Sequence, residues 1–249
     1  MVDERKYDFY YRTNGLIYGL RIMGIICLVA GLILFFNKWW PYLQLLSLPL
    51  ILLSANFFIG SVVALKVSTS DYMTLPFVDL FSSDNDLVLD AGCGAGRVTI
   101  ELSKVLKNGS IVALDLFDPK VDPMSGGRDL LEKNLEIAGI NDRVQIVQGD
   151  VTHLEFENNT FDSATSALLL NNLGKARLSG LQELHRVLKE GGKLLVIVPV
   201  PSLHTFAMMS IFCFAMTSGK KWQSLFKQAG FSILEEGDIN FGRYFLLQK

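Results

Sequence analysis

Between Asp86 and Leu102 the chain reads DLVLDAGCGAGRVTIEL, the stretch whose residue types and spacing imply the most chemistry. Leu87, Val88 and Leu89 predict a short apolar strand ending at Asp90, and Gly92, Gly94 and Gly96 follow as a turn with Cys93 inside it. Val98, Leu102, Val105 and Leu106 then recur on one face of a predicted helix. Alternate glycines permit a turn that side chains forbid and leave main chain bare where a ligand lies across it. The spacing is GxGxG with Arg97 next, so the GxGxxG dinucleotide pattern lacks its last glycine. Asp90 at the strand tip suits an ammonium group and would repel a pyrophosphate. The ligand implied is an aminoacyl nucleoside.

Two further acids end the strands that follow. Gly109-Ser110 turns the chain into Ile111 to Leu114, which stops at Asp115, and an acid about 20 residues past such a turn is placed to accept from both ribose hydroxyls. Val144 to Val147 runs into Gly149-Asp150-Val151. These motifs, in this order over roughly residues 84 to 249, resemble the class I S-adenosylmethionine-dependent methyltransferases, with motif I at the glycine turn. The resemblance implies S-adenosylmethionine as cofactor, held by Asp90, Gly92, Cys93, Gly94, Gly96, Asp115, Leu116, Asp150 and Val151. In that reading Asp115 is the motif II acid and Leu116 lies against the adenine. Asp150 accepts from the adenine amino group while the Val151 N–H donates to the ring. A plain loop acid at 115 and a plain turn aspartate at 150 are the structural alternatives.

The acceptor side is less specified. A fourth strand, Phe161 through Leu170, exits into Asn171 and Asn172, where base-modifying relatives carry an Asn/Asp-Pro-Pro-aromatic motif; its absence argues against amino-group methylation of adenine or glutamine. Two amides can orient an acceptor but are not strong bases, and asparagines are also ordinary turn residues. The segment 202 to 217, SLHTFAMMSIFCFAMT, follows the fifth strand and is too short to cross a bilayer. It reads as a buried helix, or as a lid that lines an apolar acceptor pocket or dips into an interface. His204 at its start is the candidate base, with a structural histidine as the alternative. His204, Asn171 and Asn172 are thus the catalytic candidates. The loop Phe117 to Gly127, rich in Pro and Gly, reads as part of the acceptor pocket or as plain surface.

These residues need a scaffold. Helices are predicted at Arg128 to Ala138, along Leu178, Leu181, Leu184 and Leu188, and at Lys220 to Ala229. Leu188 to Gly192, LKEGG, reads as the turn before strand Lys193 to Val198. Phe231 to Glu235 and Phe241 to Leu247 close the sheet as a hairpin linked through Asp238-Ile239-Asn240. The fold class expected is α/β, a doubly wound seven-stranded, mostly parallel sheet, preceded by a transmembrane helical hairpin.

That hairpin follows from hydropathy. Residues 1 to 14 are a polar tail; Gly15 to Phe36 is apolar except for Arg21, and about 22 residues at about 1.5 Å each match a hydrocarbon core of about 30 Å. NKWWPY, residues 37 to 42, has the composition of an interfacial belt, and a second apolar run, 43 to 65, ends at Lys66. The first run is too long for a signal-peptide core and a second span follows at once. Basic residues at 5, 6, 12, 21 and 66 against Lys38 alone in the loop place both termini in the cytoplasm. Arg21 reads as a snorkelling side chain or as a contact for an anionic lipid, and Gly15 and Gly19 as a helix-packing pair or as chance. Residues 67 to 83 are a linker whose Tyr72 and Phe77 fold over the cofactor if the resemblance extends that far, and the methyltransferase domain spans 84 to 249.

Composition bounds the partners. The 249 residues carry a net charge of −2 with no basic run, which argues against nucleic acid. Mean hydropathy of +0.32 is high for a soluble enzyme. Cys27, Cys93 and Cys213 lack ligand-type spacing, so neither a metal site nor the three-cysteine cluster of radical chemistry is indicated. The expected function is transfer of a methyl group to a small hydrophobic or lipid-like acceptor. The alternatives are a tethered enzyme of soluble metabolites and a scaffold that binds the cofactor without turnover.

Overall fold

Strands buried on both faces of a parallel sheet need nearly continuous apolar runs, and LVLDA at 87 to 91 and SIVALD at 110 to 115 supply them. A computed structural model describes residues 7–9, 14–37, 41–69, 75–76, 78–118, 120, 127–239 and 242–249. In it β1 (Leu87–Ala91), β2 (Ser110–Asp115), β3 (Val144–Gln148), β4 (Phe161–Ala167) and β5 (Leu188–Pro199) are parallel. The hairpin β6 (Ser232–Ile239) and β7 (Gly242–Gln248) adds antiparallel to β5, giving the order β3-β2-β1-β4-β5-β7-β6. The helices of this body are α3 (Arg97–Val105), α4 (Gly127–Ala138), α5 (Arg177–Val187) and α7 (Gly219–Gln228).

Chain contacts divide into two units. One comprises residues 1–11, 74–199 and 217–249; the other comprises 12–73 and 200–216. The first is the sheet with its helices. Its core joins Val88, Ile111, Leu195 and Leu246 from four strands to Val98, Leu102 and Leu106. Val105, expected on the same face, is half exposed because α3 ends there and Leu106 leaves it in extended conformation. β4 stops at Ala167 rather than Leu170, since Leu168 takes φ +59° and the chain enters a 3₁₀ segment, Leu170–Ala176. The LKEGG turn is drawn into β5 as a bulge: Phe161 pairs with Leu188 but Ser163 with Lys193. Asp238 and Ile239, expected in the final turn, belong to β6. Tyr72, Phe77 and most of the Phe117 to Gly127 loop lie outside the described residues. Leu80 and Phe81 of the expected linker instead pack into the sheet core.

The second unit contains α1 (Asn14–Phe36), α2 (Ser47–Thr69) and α6 (Leu203–Met209), the last continued by a 3₁₀ segment, Ser210–Ala215. The predicted pair Gly15 and Gly19 faces open space; the helices approach instead at Gly24 and Gly31. A Cβ on Gly31 would lie 2.9 Å from Ile51, and the Ser54 hydroxyl donates to the Gly24 carbonyl at 2.8 Å. Gln44 closes the bend by donating to the Phe35 and Asn37 carbonyls, two acceptors that the end of α1 would otherwise leave bare. By length and composition both helices can cross a membrane, and only 28% of either apolar window is buried. A core helix of a water-soluble protein is mostly buried. Here Ile22, Ile25, Ile33, Leu52 and Val62 point outward.

Candidate active site

In an open α/β sheet the ligand lies beyond the carboxyl ends of the strands, where successive crossovers part to opposite sides. That place is the boundary between β1 and β4, and the glycine turn occupies it. Gly92, Gly94 and Gly96 have φ of +80°, +49° and +88°. The turn is tied to the tip of β2: the N–H groups of Gly92 and Cys93 both donate to the Leu114 carbonyl, at 2.8 and 3.1 Å. Asp115 clasps it further. Its Oδ2 accepts from the Gly94 N–H and its Oδ1 from the Phe117 N–H, each at 2.9 Å, and each oxygen keeps acceptor capacity outward.

Room at the turn is narrow. A Cβ on Gly92 would meet that of Leu169 at 2.6 Å, and one on Gly96 would meet Leu131 at 2.5 Å. Phe117 and Leu168, at the exits of β2 and β4, hold φ of +50° and +59° without being glycine, strain of the kind that collects at ligand-binding edges. Sequence gave no signal for either.

Asp90 departs from its expected placement. Rather than facing the turn it is 1% exposed beneath it, its oxygens accepting from the Thr99 hydroxyl at 2.6 Å and the Thr165 hydroxyl at 2.8 Å. Burial pushes its pKa up to about 6, against the pull of the two hydroxyls, and the charge of Asp115 adds to the rise. The Asp90 carboxyl thus ties the end of β1 to α3 and β4 beneath the turn. Burial also pushes the Cys93 thiol well up, so it remains a thiol. Thr99 and Thr165 went unnoticed in sequence because hydroxyls at helical and strand positions carry no motif.

At the tip of β3, Asp150 is exposed and accepts from the Thr152 N–H and hydroxyl at 2.8 Å, while Val151 is buried. Gln148 donates to the Leu116 carbonyl at 3.0 Å and fixes that loop. Asn171 and Asn172 bond to each other at 2.7 Å on the 3₁₀ segment after β4; Asn171 Oδ1 is buried without a partner, and its backbone carbonyl is held by Arg177 at 2.8 Å. His204 is exposed on α6, in the second unit. Among the described residues no cluster of three or more His, Cys, Asp or Glu side chains is placed to hold a metal ion.

The polar N-terminal stretch supplies a contact that sequence did not reveal. Buried Asn134 on α4 donates to the carbonyls of Ala95 and Asp8, both at 2.8 Å, and accepts from the Asp8 N–H at 3.1 Å. The Arg97 guanidinium lies 4.8 Å from the Phe9 ring centre. Tyr7 to Phe9 thus strap the start of α3.

Comparison with known proteins agrees with this geometry. A family model described as a methyltransferase domain matches residues 89–196. A demethylmenaquinone methyltransferase of Lactiplantibacillus plantarum is 34% identical over 116 residues, 46% of this chain and 46% of that protein. The chain therefore matches under half the length of this relative. A crystal structure of a SAM-dependent methyltransferase from Aquifex aeolicus superposes with a TM-score of 0.54 at 20% identity, covering 66% of this chain and 81% of that one. The [4+2]-cyclase SpnF superposes with 0.53 at 17%, covering 66% and 74%. Strand order, glycine turn and matched segment coincide: residues 89–196 match a methyltransferase domain and lie on a sheet with the fold of solved S-adenosylmethionine-dependent methyltransferases.

Proposed function

We propose that the chain transfers the methyl group of S-adenosylmethionine to a small hydrophobic or lipid-like acceptor at a membrane. The Asp115 clasp carries the cofactor half of this reading, because it sets an acid with free lone pairs beside a turn with no side chains in the way. Asp115 takes the ribose diol, half-exposed Leu116 offers an apolar face to the adenine, and Asp150 with the Val151 N–H takes its edge. Gly92, Cys93, Gly94 and Gly96 present main chain to the amino-acid part, with the charge of Asp90 below them complementing ammonium and sulfonium. S-adenosylmethionine supplies an activated methyl on a sulfonium. The acceptor's electron pair forms the new bond to carbon as the carbon–sulfur bond breaks, leaving a neutral thioether. Most of the acceleration then comes from alignment. Asn171 and Asn172 orient the acceptor, and His204 is the candidate to take a proton where one must leave.

The hydrophobic acceptor is supported by two bilayer-length helices with apolar outer faces and by the relatives, whose name denotes a lipid-like quinone acceptor. Both termini and the sheet are read as cytoplasmic, the side on which the cofactor is made. The test is the full chain in nanodiscs with methyl-labelled S-adenosylmethionine and a bacterial membrane extract. Label partitioning into organic solvent is expected. Label confined to water would favour a soluble metabolite, and no transfer to either phase would leave a cofactor-binding scaffold.

A further inference from the structure

Residues 200–216 leave the sheet after β5 and join the apolar hairpin in one unit. Their seat is a close backbone contact: a Cβ on Gly60 of α2 would lie 2.6 Å from the Met208 carbonyl oxygen and 3.2 Å from that of Ala207. One turn away the rings of Phe57 and Phe212 meet at 5.9 Å. The segment is held in shape by a capping box, the Ser202 and Thr205 side chains each bonding the other's backbone N–H, with buried Thr205 also donating to the Val200 carbonyl at 2.8 Å. Yet its apolar side chains are not covered. Leu203 is 86% exposed, Phe214 71%, Ile211 45% and Phe212 44%.

The level of this contact is marked by charge. α1 and α2 run antiparallel, and Gly24 faces Phe57 and Phe58. Three residues back along α1 and three onward from Phe57 along α2 bring Arg21, which is exposed, level with Gly60. Arg21 is the lone ionised side chain of α1. It lies six residues inside the first apolar residue, Gly15, about 9 Å at about 1.5 Å per residue. Helices lying in the plane of a bilayer bury their apolar face about 5–10 Å into the headgroup–acyl boundary, and a long basic side chain at that depth reaches up to the headgroups.

We infer that residues 203–215 form a third lipid-contacting element, lying in the membrane plane at the level of Arg21 with Leu203, Ile211, Phe212 and Phe214 among the acyl chains. This rests on the reading of the hairpin as membrane-embedded and deepens it: the segment between β5 and α7, where the acceptor cap was expected, is itself in contact with the phase that holds a lipid-like acceptor. The partner is the bilayer rather than a second protein. The exposed apolar side chains belong to the same unit as a hairpin of bilayer length whose apolar residues also point outward, which favours hydrocarbon as the common surrounding.

The test uses the full chain in phosphatidylcholine–phosphatidylglycerol liposomes, carrying an environment-sensitive fluorophore on Phe214→Cys, Leu203→Cys, Ile33→Cys or Glu101→Cys in turn. Signal from the buried native cysteines is subtracted using the unsubstituted chain. Leu203, Phe214 and Ile33 are all exposed, so the label leaves the buried core untouched, and at 214 it gives up one ring contact, with Phe206. The probes at 203 and 214 should lose most emission to a nitroxide placed shallow in the acyl chain and none to aqueous iodide. Quenching by iodide to the level of the α3 reference at 101, while the probe at 33 is quenched by a bilayer-centre nitroxide, overturns the inference and leaves the hairpin in the membrane. Iodide quenching at 33 as well overturns both readings.

Discussion

Asp90 shows how one buried side chain can brace a turn from beneath. Its carboxyl is buried between two threonine hydroxyls and holds its proton up to about pH 6, whereas the unfolded chain releases it near 3.8. Between these values the folded state binds more protons, so stability falls as pH rises, and above about 6 the full penalty remains, on the order of 3 kcal/mol. Asp90→Asn removes that dependence. Denaturant titration should show the variant gaining on the unsubstituted chain from about pH 4 to 6.5 and holding the gain above; parallel pH profiles would contradict the assignment. Asp115 differs in being only half-buried, with acceptor capacity left on both oxygens. Asp115→Ala removes the proposed ribose partner and the clasp on Gly94, and calorimetry should show affinity for S-adenosylmethionine falling roughly 10- to 100-fold, about 1–3 kcal/mol.

Among the elements, the strand-turn-helix unit depends on close approach more than on composition. Gly92→Ala places a side chain on a backbone with φ +80° and drives it into Leu169 at the exit of β4. Backbone strain of roughly 1–2 kcal/mol and overpacking of roughly 1–3 kcal/mol add there. Gly139→Ala has a similar φ, +68°, but nothing within 4 Å, so strain alone applies. Thermal denaturation should therefore rank Gly92→Ala well below Gly139→Ala, with cofactor binding lost only in the former. Equal losses would show that the turn does not rely on the contact with β4. The same logic holds at Gly24 and Gly31, where the lack of a side chain lets α1 and α2 meet closely.

For the molecule as a whole, two units with opposite distributions of apolar surface share one chain. The sheet buries its apolar strands under helices, while the hairpin turns its apolar residues outward. Alkaline carbonate washing of membranes from expressing cells should leave the protein in the pellet, because two bilayer-length helices are not released by removing surface charge. Recovery in the supernatant would mean that the hairpin is covered by protein. The fold likeness to a [4+2]-cyclase is also instructive at this scale, since the sheet alone does not choose a reaction and the side chains at its carboxyl edge must.

The sequence by itself determined the strand-turn-helix and the succession of strands along the chain, because unbroken apolar runs, glycine spacing and strand-end acids are local properties that periodicity exposes; the order of the strands in the sheet came with the structure. It determined equally that two helices have bilayer length. Only the tertiary structure decided that Asp90 lies under the turn, that Gly24 and Gly31 rather than Gly15 and Gly19 join the helices, and that Asn134 ties Asp8 to the turn, each being a pairing across long sequence separation. The affiliation of 200–216 with the hairpin was hidden for the same reason. An apolar run declares that it must leave water, but the partner that covers it is set by where the chain places the run in space.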